Sequence, residues 1–165
     1  MLTLKKINKI KDPIKRRKLK EDLVEADEAA DRKEAQDDFL TFVKQMWPQF
    51  IEGQHHERIA DKFNKLATGE ITRLIINMPP RHTKSEFSSY YLPAWMIGKD
   101  PKLKIIQATH TAELAISFGR KTKNLIDSAE YQKIFNTRLQ EDSKAAGRWN
   151  TSEQGEYFAV GVKGA

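Results

Sequence analysis

The sequence predicts an α/β fold in which a mostly parallel sheet is flanked by helices and preceded by a helical N-terminal arm. Three apolar runs suited to buried strands, Thr72–Asn77, Leu103–Ala108 and Tyr157–Val162, alternate with longer segments of helical periodicity. The 165 residues, 39% of them hydrophobic, suffice for one domain with a core of its own. A block of charged residues with helical spacing comes before the first strand. This block predicts the helical N-terminal arm.

The arm is divided sharply by charge. Residues 1–20 hold nine basic residues and one acid, whereas residues 21–38 hold nine acids and two bases. Apolar residues recur at helical spacing after Pro13, which predicts a long exposed helix. We therefore divide the chain into a charged helical arm, residues 1–37, and a main domain, residues 38–165. The basic start of the arm is suited to contact DNA or a partner, and a purely solubilising helix is the alternative.

Further helices are predicted from the spacing of apolar residues and from capping signals. The first three run from Asp38 to Met46, from His55 to Thr68, where Gly69 follows, and from Glu86 to Ile97. A fourth helix begins after a cap at Thr109 or Thr111, and a short fifth helix lies near Glu130 to Phe135. Pro93 is expected to kink the third of these helices, and Gly98 to end it. Residues 136–154 are mostly polar and predict an irregular stretch.

Composition excludes several classes of protein. The chain has no cysteine, which rules out disulfides and thiolate metal sites. It has no apolar run of the roughly 18 residues needed to cross a bilayer, so we expect no membrane association. Its net charge of +6 has the sign expected of a protein that meets polyanions such as DNA or nucleotides.

One loop carries the residue types of a phosphate-binding site. It runs from Met78 to Ser85, between the first predicted strand and a predicted helix, which is the setting in which such loops work. Backbone N–H groups and the helix start attract phosphate, Lys84 adds a positive charge, and the Ser85 hydroxyl is a ligand for Mg²⁺. The loop predicts nucleotide binding of the P-loop NTPase kind.

The loop departs from the usual pattern G-x-x-x-x-G-K-[ST] at both glycines. Met78 and Thr83 stand in their places, so only the spacing and the pair Lys84-Ser85 remain. A β-branched residue in a tight loop predicts a local change in backbone geometry.

The segment Leu74–Glu86 resembles the variant Walker A segment of tailed-phage terminase large subunits, in which a hydrophobic strand is followed by Asn-x-Pro-Pro-x-His-Gly-Lys-Ser. Other segments resemble that family as well. They are Tyr91–Trp95, Lys104–His110 followed by Ala112–Ala115, Asn124–Ser128 with Tyr131-Gln132, and the glycine-rich end, Gly161–Ala165. The resemblance covers about residues 51–165.

The resemblance implies an ATPase that drives double-stranded DNA into the procapsid, working as a ring with the portal protein and the small terminase subunit in the host cytoplasm. It implies Lys84 and Arg81 as catalytic residues, with Arg81 responding to the γ-phosphate. The residues implied to contact ATP are Pro79, Pro80, Arg81, His82, Thr83, Lys84 and Ser85, with His55 contacting adenine. Ser85 is the implied Mg²⁺ ligand. A solvated loop residue is the alternative for Arg81.

No apolar strand ending in acidic residues, of the kind that would orient the attacking water, occurs in the sequence. In the family that strand comes after the glycine-rich turn, so we expect this chain to be a fragment that stops before Walker B. Alone it should bind nucleotide weakly, if at all, and hydrolyse it negligibly. Two alternatives remain: a non-catalytic nucleic-acid-binding or assembly module, and a superfamily 2 helicase fragment. The segment Pro79–His82 argues against the helicase.

Overall fold

The computed structural model describes residues 12–143 and 145–162. Helices occupy more than half of these residues. They are α1 (Pro13–Asp37), α2 (Phe39–Met46), α3 (Gln54–Ala67), α4 (Lys84–Glu86), a π-helical turn (Phe87–Tyr91), α5 (Leu92–Lys99), α6 (Ala112–Ile126) and α7 (Ala129–Ile134). The strands are β1 (Lys104–Thr109), β2 (Arg148–Asn150) and β3 (Glu156–Gly161).

Helix α1 begins where its sequence predicts. The Asp12 carboxylate caps it by accepting a hydrogen bond from the N–H of Ile14 at 2.9 Å, and a proline in the first turn needs no partner for its nitrogen. Ala35 is its one buried residue within the described part of the chain. The end of α1 is fixed to the rest of the molecule, since the Trp95 indole N–H donates to the Ala35 carbonyl at 2.9 Å. Residues 1–11 of the predicted basic stretch lie outside the described residues.

The core is a cluster of aromatic rings between α2, α3 and the helical segment after the loop. Phe39 lies edge to face with Phe63, Phe87 and Trp95, with ring centroids 5.0, 5.4 and 5.6 Å apart. All four side chains are at most 1% exposed. Such pairs contribute about 0.5–1.5 kcal/mol each beyond the burial of their surface. The helices predicted from Asp38 and from His55 are therefore confirmed, and their apolar faces meet here.

Residues 84–99 form one helical segment in which the π-helical turn separates α4 from α5. Pro93 lies at the start of α5, and its missing N–H is accommodated by the irregular turn just before it. The prediction that Gly98 ends this helix is wrong, because the helix continues to Lys99. A Cβ atom at Gly98 would lie 2.6 Å from the Phe135 ring, so packing is what requires glycine there.

The sheet has three strands in the order β1-β3-β2, with β1 and β3 parallel and β2 antiparallel to β3. Ile105 on β1 and Trp149 on β2 both lie opposite Tyr157 on β3. The rings of Trp149 and Tyr157 stack at 4.8 Å, with an angle of 3° between their planes. Helix α6 packs on this side of the sheet, where the Trp149 indole donates to the Gly119 carbonyl at 3.2 Å.

The predicted fold class, a P-loop NTPase-like parallel sheet flanked by helices, is wrong for the described residues. The structure is mainly helical, and its sheet is small and mixed. Two predicted strands correspond to β1 and β3, but Thr72–Asn77 pairs with no strand among the described residues, and β2 arises within the stretch predicted to be irregular. An apolar run becomes a strand only when a neighbouring strand accepts its backbone hydrogen bonds, and no described strand lies beside residues 72–77.

Capping decides where α6 begins. The Thr111 hydroxyl accepts a hydrogen bond from the N–H of Leu114 at 3.3 Å, so Thr111 is the cap and Thr109 belongs to β1. The short helix predicted near Glu130 is α7. In the described part of the chain, no helix combines the length and apolar character needed to cross a bilayer. Residues 163–165 of the predicted glycine-rich turn lie outside that part.

Candidate functional site

The chain between α3 and the loop is extended, and Leu74 and Ile76 on it pack against the core. From Leu74 to Met78 the side chains alternate between half-buried and exposed, and Ile75 is 85% exposed. Backbone groups of residues 72–79 make no backbone hydrogen bond to another described residue. The alternation is that of a strand, but the strand has no partner among the described residues. Side-chain packing, and not strand pairing with another described segment, therefore holds the chain that leads into the loop.

Two residues of the loop adopt a left-handed backbone conformation. Arg81 has a φ of 64° and Thr83 a φ of 59°. Thr83 stands where the phosphate-loop pattern has glycine, and its backbone takes the conformation that glycine adopts at little cost. For a β-branched residue this conformation is a rare and strained one. Contacts from outside the loop must hold it in place.

His56 on α3 supplies such a contact. Its Nε2 atom lies 2.7 Å from the Thr83 hydroxyl, and its Nδ1 atom lies 3.0 Å from the backbone nitrogen of Gly53. Because a backbone N–H can only donate, Nδ1 accepts and the proton of the ring is on Nε2. His56 therefore donates to Thr83, whose hydroxyl donates in turn to the His82 carbonyl at 2.7 Å. Both ring nitrogens of His56 are occupied, which leaves neither for a metal.

The surroundings of His56 favour its neutral form. The side chain is buried, and this burial lowers the pKa of His56. The nearby rings of His55 and His82 lower that pKa further, whereas the Glu52 carboxylate opposes them. The neutral ring is the form that the hydrogen bonds to Gly53 and Thr83 require.

The loop and the start of α4 present unpaired donors. From Arg81 to Glu86, no backbone N–H donates to an acceptor among the described residues. Lys84 is half-buried and Arg81 is exposed. Neither cation forms an ion pair with a carboxylate in residues 12–143 and 145–162. Free N–H groups beside cations are, in general, an arrangement that favours binding of an anion.

The remaining predicted loop residues lie around these donors. Pro79 and Pro80 are exposed, and the exposed His82 ring turns back so that its Nδ1 lies 2.9 Å from the Pro80 carbonyl oxygen. Ser85 is exposed next to Lys84. Among the described residues no group of three or more His, Asp or Glu side chains is arranged to hold a metal ion. A cation at Ser85 would thus need most of its ligands from a bound phosphate or from water.

His55 lies beside the loop, in a cleft. The cleft has a volume of about 300 Å³ and lies between α3 and the extended segment; its lining includes His55, Arg58, Ile59 and residues 74–78. The His55 ring lies 5.7 Å from the His82 ring, centroid to centroid. The structure thus brings His55 next to the loop, as its predicted role requires.

His56 is the site residue that the sequence did not predict. A local signal was present, because His56 lies three residues after Gly53 at the start of a helix, the spacing of a side chain that caps the helix. Its contact with Thr83 joins residues 27 positions apart, and helical spacing gives no indication of such a contact.

Comparison of the chain with protein-family models, with curated proteins and with solved structures gave no match.

Proposed function

We propose that residues 79–85 bind the triphosphate of ATP together with Mg²⁺. The observation that carries this proposal is the run of unpaired N–H groups from Arg81 to Glu86, flanked by Lys84 and Arg81 without carboxylate partners among the described residues. Water can satisfy such groups, but a polyanion satisfies several of them at once and neutralises both cations. The proposal depends on the loop and its neighbours and not on the sheet.

Each loop residue has a separate role in this proposal. Lys84 contacts the terminal phosphates as a point charge, and the Ser85 hydroxyl is the protein ligand of Mg²⁺. Arg81 is exposed and long enough to move, so it stabilises negative charge that develops on the γ-phosphate during hydrolysis. Pro79, Pro80, His82 and Thr83 shape the turn that presents these groups.

The cleft beside α3 is the proposed place for the adenine base. It lies next to the loop and combines apolar walls from Leu74 and Ile76 with polar groups at its rim, the usual composition of a small-molecule site. His55 contacts the base there.

The class of ATPase is proposed from the resemblance to phage terminase large subunits. We propose that the chain is part of a motor that drives double-stranded DNA into a procapsid, in the host cytoplasm. Its partners in that role are DNA, the portal protein, the small terminase subunit and further copies of itself. The whole motor protein hydrolyses ATP, with Lys84 and Arg81 as its catalytic residues in this segment.

Binding of Mg·ATP to the chain tests the proposal. A fluorescent ATP analogue is titrated with the wild-type protein, with Lys84→Ala and with Lys102→Ala. Lys102 is an exposed lysine outside the loop, so its substitution makes the same change in net charge. We expect Lys84→Ala to weaken binding at least about tenfold, because a charge-assisted contact to phosphate is lost. Lys102→Ala should leave the affinity unchanged.

Equal losses in the two variants would mean that the analogue responds to net charge alone, and the loop would not be a triphosphate site. If both variants kept the affinity of the wild type for the analogue, the same conclusion would follow. In either case the non-catalytic assembly module becomes the better account of the chain.

A further inference from the structure

We propose that His56 is a positioning residue for the phosphate loop: it holds Thr83 in the left-handed conformation and so fixes the direction in which the N–H groups before α4 point. This inference rests on the proposed function of the loop. It assigns no chemistry on the substrate to His56, which acts only through Thr83.

Thr83 has a backbone conformation that needs support. A glycine would adopt a φ of 59° with little strain, whereas threonine does so only when other contacts stabilise it. Among the described residues, the side chain of Thr83 has two hydrogen-bonding partners, the His56 ring and the His82 carbonyl. The His82 carbonyl belongs to the loop itself. His56 is therefore the contact that ties the side chain of Thr83 to another element among the described residues.

His56 is itself fixed from two sides. Its ring packs edge to face against Phe50 at 4.8 Å and lies 5.0 Å from Phe87, measured between ring centroids. Its Nδ1 accepts the N–H of Gly53 at the start of α3, which sets the direction of Nε2–H. A histidine that is packed against two rings and hydrogen-bonded at Nδ1 holds its partner more firmly than a mobile surface side chain would.

The start of α4 depends on the backbone angles of Thr83. Lys84 is the next residue in the chain, and the Thr83 carbonyl accepts the N–H of Phe87 at 2.9 Å as the helix begins. A change in the backbone angles of Thr83 rotates the N–H groups on either side of it. The orientation of the loop donors and of Lys84 thus depends on one hydrogen bond from α3.

The test is a cycle of four proteins: wild type, His56→Phe, Thr83→Gly and the double variant. Phenylalanine keeps the ring packing against Phe50 and Phe87 but forms neither hydrogen bond of His56. Glycine at position 83 adopts the left-handed conformation without help. If His56 acts through Thr83, its substitution weakens Mg·ATP binding about tenfold in the threonine protein and has almost no effect in the glycine protein. Equal losses in the two backgrounds would overturn the proposal.

A second measurement separates this proposal from that of ATP binding. NMR of the full chain without nucleotide reports the imidazole tautomer of His56 from its ring nitrogen shifts, and the sign of φ at Thr83 from its backbone couplings. We expect the Nε2–H tautomer in the wild type, and loss of the positive φ at Thr83 in His56→Phe. Those results support the positioning role even if Mg·ATP does not bind. A positive φ that persists in His56→Phe would contradict it, whatever the affinity for ATP.

Discussion

The aromatic core and the segment that carries the loop are held in place in different ways. In the core, Phe39 is completely buried and contacts three other rings, so many weak contacts fix its position. Between residues 72 and 79, backbone hydrogen bonds to other described residues are absent. Leu74 and Ile76 pack against the core from this segment, and the His56 ring donates a hydrogen bond to the Thr83 hydroxyl. The core therefore determines stability, whereas the loop is suited to change its contacts when a ligand binds.

A pair of truncations should show the largest difference between the two regions. Phe39→Ala removes a ring from the centre of the core and should lower the free energy of unfolding by about 3–5 kcal/mol. Ile75→Ala removes a large apolar side chain that is 85% exposed, and it should change that free energy by no more than about 0.5 kcal/mol. Urea unfolding followed by circular dichroism measures both. Similar losses in the two variants would show that the extended segment is packed as firmly as the core.

A smaller change in stability is expected when the pH is lowered. It comes from His56, the residue that links the core to the loop. Its pKa is lowered in the folded protein by burial and by His55 and His82, whereas the unfolded chain has the ordinary value of about 6.5. Below that pH the unfolded chain binds more protons than the folded one. The contribution of neutral His56 to the free energy of unfolding is thus fully present above about pH 6.5. As the pH falls below that value, the free energy of unfolding decreases by at most about 1.4 kcal/mol per pH unit.

Thermal or urea unfolding of the wild type and of His56→Phe across this range isolates the contribution of His56, since the two proteins differ at that residue alone. The wild type should lose more stability than the variant on acidification. Parallel curves for the two proteins would contradict a lowered pKa at His56.

Local signals in the sequence predicted the helices well. Pro13, the apolar face from Phe39 onwards and the Thr111 cap each act within a few residues, so spacing and residue type were enough to find α1, α2 and α6. The helix after the loop was predicted from Glu86, and in the structure it begins two residues earlier, at Lys84.

Local signals predicted the sheet only in part: the apolar runs of β1 and β3 were found, whereas β2 and the strand pairing were not. Arg148–Asn150 is short and mainly polar, and its contacts as β2 are with β3: Trp149 stacks on the Tyr157 ring, and Arg148 pairs with Glu156. Residues 72–77 have the composition of a strand, but no described strand accepts their hydrogen bonds. Pairing is a property of two segments together, and the apolar pattern of one segment does not reveal it.

The central claim is that the loop binds a triphosphate, and NMR of backbone amides during a titration with Mg·ATP tests it most directly. The amide signals of Arg81, His82, Thr83, Lys84 and Ser85 should shift in proportion to occupancy, while those of α7 and β2 remain in place. Shifts in the loop that disappear in Lys84→Ala would agree with this account. Unchanged loop signals at saturating Mg·ATP, or shifts confined to other parts of the chain, would contradict it.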